Sequence, residues 1–461
     1  MFDYFKDVTV EPSFFIYLVV YEWIKGLDTN LFLQKACRPN STSQPDLKNT
    51  QCDDERSGIL FVAEVNLKYQ PVVLFIGLLI VIFASYWSDE AGRRRRPLIY
   101  ISILVQLLHA LSGCLNSYFW QWKPIIAVLL WAVFESLCTG MSMMLVGCQL
   151  YICDISDIQS RTMRLGIIGT IRLAALVVGK GGAGFMLRNF GFLNSYSLCF
   201  ICSMSGLICA LIFIKDNSVS VDKKNTSYLV FNLKRMIFDS FKVVFNRSLG
   251  RKRVTVTLLI IANITVILTF FGELSVLYLY LRHRFGWNEQ KYSEYMILKL
   301  TISSFGILFC SLVLSKWLKI HDGLIGILAG CFDTIAILVL MFANQTWQLY
   351  LVPVIDLFHG TAMTIGVSFM SKYYDVNEIG RLYAVNGVFG FIVPFTFMAY
   401  NGIFGRTLDT YPSAFCLFSV VLDIGIILCF CGAYYSSKKF DAEKTKKREV
   451  SEEKCGESLL L

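Results

Sequence analysis

Charge is what this chain has least of. Only 17% of its 461 residues are Asp, Glu, Lys or Arg, against about 25% in soluble domains. With 55% of residues hydrophobic and 15% aromatic, a soluble globule of this length has too little polar surface to face water. A soluble enzyme and a disordered chain are both excluded. The chain also lacks a phosphate-cradling loop, zinc-ligand spacing and a nucleophile elbow. ATP-driven pumping is therefore unsupported, and neither enzymatic activity nor a cofactor or metal is expected. Lone histidines such as His283 and His321 do not make the cluster a membrane-embedded acyltransferase needs. Residues Met1 to Glu11 carry Asp3, Lys6, Asp7 and Glu11 but no basic n-region, so no cleavable signal peptide is expected.

What the chain does have is apolar runs. A membrane-crossing helix needs about 20 apolar residues, so twelve would use roughly 240. Apolar segments recur at 12–33, 68–87, 98–119, 125–150, 164–186, 195–214, 254–281, 293–317, 323–343, 347–370, 382–404 and 412–434. We number these spans 1 to 12. The expected fold is an all-α membrane protein of twelve transmembrane helices in two six-helix, pseudo-symmetric bundles. Residues 1–214 would form the N-terminal bundle, 215–253 a cytoplasmic central loop, 254–434 the C-terminal bundle and 435–461 a cytoplasmic tail.

The net charge of +9 resides in short basic runs between spans: Arg93 to Arg96, Arg251 to Arg253 and Lys444 to Arg448. That placement fits cytoplasmic loops rich in Lys and Arg and argues against a nucleic-acid partner. An even number of spans puts both termini on the cytoplasmic side. The loop holding Cys37, Cys52 and the sequon Asn40-Ser41-Thr42 then lies opposite. Asn40 is expected to be glycosylated there, and Cys37 with Cys52 is a candidate disulfide.

After span 2 the chain reads Ser85-Tyr86-Trp87-Ser88-Asp89-Glu90-Ala91-Gly92-Arg93-Arg94-Arg95-Arg96-Pro97. This resembles the signature loop of the major facilitator superfamily, G-x-x-x-D-x-x-G-R-[KR], with Ser85 in place of the first Gly. The resemblance implies a conformational latch carried by Asp89, Gly92 and Arg93. The loop after span 8, Ser315-Lys316-Trp317-Leu318-Lys319, is a degenerate counterpart. Further segments resemble solute carrier family 46, the family of the proton-coupled folate transporter. They are Val10-Glu11-Pro12, Asp154-Ile155-Ser156, Ser160-Arg161-Thr162-Met163-Arg164, Phe245-Asn246-Arg247-Ser248, Ser371-Lys372 and Glu378-Ile379-Gly380. This resemblance implies transport of an organic anion or amphipathic conjugate, such as a folate, antifolate, muropeptide or cyclic dinucleotide. It also implies that spans 1, 4, 7 and 10 line the central cavity. The folate-transporting members carry an acid in span 5 and a His in span 7, where this chain has Gly169 and Phe270.

Ionisable residues inside a membrane are costly and mark function. Span 1 carries Glu22, Lys25 and Asp28, span 4 Glu135, span 5 Arg172 and Lys180, span 7 Glu273, span 8 Lys299, and span 10 Asp356 and His359. The candidate substrate or proton-coupling residues are Glu22, Asp28, Glu135, Arg172, Glu273, Lys299, Asp356 and His359. Steps of three in spans 1 and 10 keep each set on one helix face. Arg172 and Lys299 suit a substrate carboxylate or phosphate. A proton is traded most readily by a carboxylate beside a His, as Asp356 and His359 provide, or by Glu273 with Lys299. Asp333, Asp423 and His109 are read as structural. The expectation is a secondary transporter, proton-coupled, working by alternating access in a plasma or endolysosomal membrane. The alternative is a non-transporting membrane sensor on the same fold. The oligomeric state is left open, as is endolysosomal sorting by the Leu-rich end of the tail.

Overall fold

The computed structural model describes residues 9–38, 41, 43–44, 54–90, 95–138, 141–155, 158–214, 251–373 and 392–458. Among the described residues every regular element is helical, and each of the twelve expected spans contains helix.

Span 1 is α1, Glu11–Cys37, with Pro12 in its first turn, where a missing N–H costs nothing. Span 2 is α2, Glu55–Glu90, which begins well before the expected boundary. Span 3 is α3, Arg96–Tyr118, again opened by a proline, Pro97. Span 4 is made of α4, Pro124–Cys138, and α5, Ser142–Ile155. Spans 5 and 6 share α6, Ile158–Phe213, kinked at Gly191 (φ 75°), a conformation glycine adopts without a Cβ penalty. Span 7 is α7, Arg251–Phe285. Span 8 is α8, Glu289–Phe309, continued by the π-helical segment Cys310–Trp317. Span 9 is α9, Asp322–Phe342. Span 10 is broken into α10, Thr346–Ile355, and α11, Thr361–Ser371. Span 11 contributes α12, Val393–Thr407. Span 12 is α13, Ala414–Ser458, which runs far past the expected end of the span. Among the described residues, eight helices are long and apolar enough to cross a membrane by length and composition.

The chain divides into two compact units. The first comprises Met1–Asn225, Leu274–Thr301 and Pro394–Pro412; the second comprises Thr226–Glu273, Ile302–Val393 and Ser413–Leu461. In the first unit α1 packs along α6 because glycines line the seam. A Cβ at Gly179 would stand 2.5 Å from Glu22 Cβ, and one at Gly26 2.8 Å from Ala183 Cβ. Small residues of this kind let helices approach closely where lipid supplies no hydrophobic drive between them. The core of this unit is built from Phe14, Tyr17, Ile103, Met144, Ile168 and their neighbours. In the second unit α9 packs on α13, with Leu259, Ile325, Ile365, Phe369 and Phe430 in the core.

Candidate functional site

In the first unit the ionisable residues of spans 1, 3, 4 and 5 converge. Glu22, Lys25 and Asp28 follow one face of α1, as their spacing predicts. Lys180 of α6 pairs with Glu22 at 3.0 Å, and Arg172 and Lys25 lie within electrostatic reach of the same carboxylate. Tyr21 donates a hydrogen bond of 2.7 Å to Glu135 of α4. Asp28 lies 3.0 Å from His109 Nε2 of α3 and accepts a hydrogen bond from the Tyr196 hydroxyl at 2.7 Å. His109 is the buried, packed ring read from the sequence, stacked on Phe134 with centroids 6.0 Å apart, and it is also a partner of a buried acid. Gly113 makes room for this arrangement, since a Cβ there would stand 2.3 Å from the Tyr196 ring. The three carboxylates are buried, while Lys25 and Arg172 are exposed. Acids held inside and cations presented outward form a surface suited to an anion.

Lys299 of α8 also belongs to this unit and is buried. Tyr292 lies within electrostatic reach of Lys180, Lys299 and Glu22. Gly169 faces open space. Sequence reasoning missed the ring of contacts near the ends of α1, α2 and α7. Arg282 reaches Glu55 at 2.6 Å and Glu289 at 3.6 Å, and Tyr278 donates to Asn30 at 2.6 Å. Arg56 pairs with Asp409.

In the second unit Asp356 and His359 sit at the break of span 10, with Oδ2 to Nδ1 at 3.1 Å. Asp333 of α9 reaches the same ring nitrogen at 3.7 Å. Phe270 of α7 stacks on His359 with ring centroids 5.2 Å apart. Asp423 of α13 lies within electrostatic reach of Glu273, Asp333, Asp356 and His359. Asp333 and Asp423, read from the sequence as structural, therefore join the predicted residues Glu273, Asp356 and His359. No sequence signal marks that convergence beyond the acids themselves being in apolar runs. Glu273 falls in the second unit and Lys299 in the first, and each is placed with its own neighbours.

Asp89 lies within α2 but its side chain is outside the described residues, as are Gly92 and Arg93. The same basic run nevertheless turns one cation inward. Arg95 is buried, pairs with Asp154 at 2.7 Å and donates to Ser88 at 3.1 Å. Asn40 and Cys52 also lie outside the described residues, whereas Cys37 is disulfide-bonded.

The model of the Major Facilitator Superfamily matches residues 70–398 of this chain. A fruit-fly (Drosophila melanogaster) protein named as a probable peptidoglycan muropeptide transporter, SLC46, is 24% identical over 448 residues, covering 91% of this chain and 84% of that one. The human (Homo sapiens) lysosomal proton-coupled steroid conjugate and bile acid symporter SLC46A3 is 25% identical over 444 residues, covering 92% of each. Among solved structures, the peptide transporter POT in complex with alafosfalin aligns with a TM-score of 0.64 at 11% identity, over 92% of this chain and 95% of that one. The human organic anion transporter MFSD10 aligns with a TM-score of 0.59 at 13% identity, over 92% and 98%. These structural likenesses show the fold. With a helix in every expected span and the family model matched along most of this chain, the chain belongs to the major facilitator superfamily.

Proposed function

We propose that this protein is a proton-coupled symporter that moves a bulky organic anion or amphipathic conjugate by alternating access. The observation that carries this reading is the pairing inside the first unit. Glu22, Asp28 and Glu135 are buried, each against a cationic or hydroxyl partner, beside the exposed cations Lys25 and Arg172. Exposed cations can receive an anionic group, and buried carboxylates can answer its arrival by changing their protonation. The names of the relatives support the class, since steroid conjugates, bile acids and muropeptides all join an ionised group to a large body. Gly169 and Phe270 stand where the folate-transporting members carry titratable residues, which disfavours a folate.

The test is uptake into vesicles that contain the purified protein, at an outside pH of about 5.5 and about 7.4. The probes are a labelled bile acid, a steroid sulfate, a muropeptide, methotrexate and a cyclic dinucleotide. Faster uptake of at least one probe at the acidic pH is expected. Saturable binding without flux would instead establish the membrane-sensor alternative. Flux equal at both pH values would remove proton coupling and leave the transporter.

A further inference from the structure

Span 10 does not fold as one helix, and its two ionisable residues sit at the interruption. Pro353 lies inside α10, where it removes one backbone hydrogen bond from the helix. Residues 356–360 form turns, and Gly360 has a left-handed φ of 76° before α11 begins. The turn is bedded on α8. A Cβ at Gly306 would stand 1.6 Å from the Leu357 carbonyl oxygen, so glycine is required there. The interruption is therefore built into the packing. Its effect is to hold Asp356 and His359 in place next to Asp333 of α9. One oxygen of each Asp and a ring nitrogen of His359 all lie within 4.8 Å of one another.

Two carboxylates at this separation repel when both are ionised, and one imidazole carries at most a single positive charge. The C-terminal end of α10 adds its own partial negative charge at the same point. Each element packed here contributes further. Asp423 of α13 and Glu273 of α7 lie within electrostatic reach, Phe270 of α7 covers the imidazole face, and Cys310 of span 8 is buried. Discontinuous spans with polar groups at the break are where transporters place coupling ions. An excess of acid over base at buried positions is relieved by binding a proton.

We propose that Asp333 carries the coupling proton jointly with Asp356 and His359, so that a residue of span 9 is part of the transport machinery. This rests on the proton-coupled reading above. Proton binding to the pair requires only the gain and loss of one H+ at a carboxyl oxygen, with His359 as the adjacent acceptor.

Two measurements on the full-length protein test it. Infrared difference spectra across a pH step, recorded without any substrate, are expected to show a carboxylic-acid C=O band in the wild type. That band should be lost in Asp333→Asn and in Asp356→Asn, with the double variant losing no more than either single one. Asp333→Glu should keep a band at a shifted frequency and certifies that the position tolerates substitution. In vesicles, the acid-to-neutral uptake ratio of whichever probe is carried should fall to unity in Asp333→Asn. Exchange of the same probe between its two sides, which moves no net proton, should persist within about twofold. A band unchanged by Asp333→Asn, or an uptake ratio that survives it, would overturn the role of Asp333 while leaving proton coupling standing. Wild-type flux indifferent to a proton gradient would overturn the coupling reading, and this assignment with it.

Discussion

Arg172 is exposed although Glu22, whose charge it feels, is buried. A guanidinium so placed can offer its planar fork to a ligand. Arg172→Ala is therefore expected to raise the KM for an anionic probe about tenfold or more, the loss of one charge-assisted hydrogen bond. Surface abundance should be unchanged; an unaltered KM would remove Arg172 from the substrate site. Asp409, in the turn after α12, gives a contrasting case. Arg56 donates to it at 2.7 and 2.5 Å, and this hydrogen bonding, with the adjacent positive charge, holds the Asp409 carboxyl below its usual range. A depressed carboxyl contributes its stabilisation above the ordinary value near about pH 4, and loses it only as pH falls through the depressed one. The pair is thus intact across pH about 5 to 8. Asp409→Asn should leave the acid-to-neutral uptake ratio unchanged, and a changed ratio would show that this pair does take part in acid sensing.

Between elements, the two units repeat one clasp with its polarity reversed. At the start of α3, buried Arg95 meets Asp154 at the end of α5, and Ser88 lies seven residues before it. At the start of α9, buried Asp322 meets Lys372 just after α11 at 2.7 Å, and Ser315 lies seven residues before it at 3.3 Å. In each clasp the member at the helix start is the buried one: Asp322 is 1% exposed against 58% for Lys372. Removing the exposed partner strands a buried charge, whereas removing the buried residue releases a solvated one. Lys372→Met should therefore lower thermal stability by roughly 1–3 kcal/mol, the cost of a buried polar group left without its partner, and Asp322→Asn by less. The reverse order in detergent melting curves would show that the pair is not what holds α9 to α11. Of this pattern the sequence shows the basic run and the degenerate second loop. It does not show Arg95 turning inward, because a run of four arginines has no periodicity to single one out. Likewise the three-residue steps of Glu22, Lys25 and Asp28 reveal a shared face within one helix. The meeting of Asp333 with His359 joins α9 to the turn between α10 and α11, and depends on Gly306 and Gly360 shaping that turn.

At the scale of the whole chain, sidedness follows from charge and count. Each expected span contains helix, and if all twelve cross the membrane the C-terminus returns to the side of the N-terminus. The basic runs Arg93 to Arg96, Arg251 to Arg253 and Lys444 to Arg448 then share that side, which the positive-inside rule makes the cytosol. On that count the stretch after α1 is expected across the membrane, in the compartment where disulfides persist and sequons are modified. Cys37 in this stretch is disulfide-bonded. Full-length protein made in animal cells should therefore lose apparent mass on treatment with a peptide N-glycosidase. Asn40→Gln should abolish that shift, while substitution of Asn225 or Asn246, in the basic central loop, should not affect it. Tags on both termini should be labelled only after the cytosolic face is opened. A glycan on Asn225 or Asn246 instead would invert the topology, and the exposed cation Arg172 would then have to be approached along the opposite path.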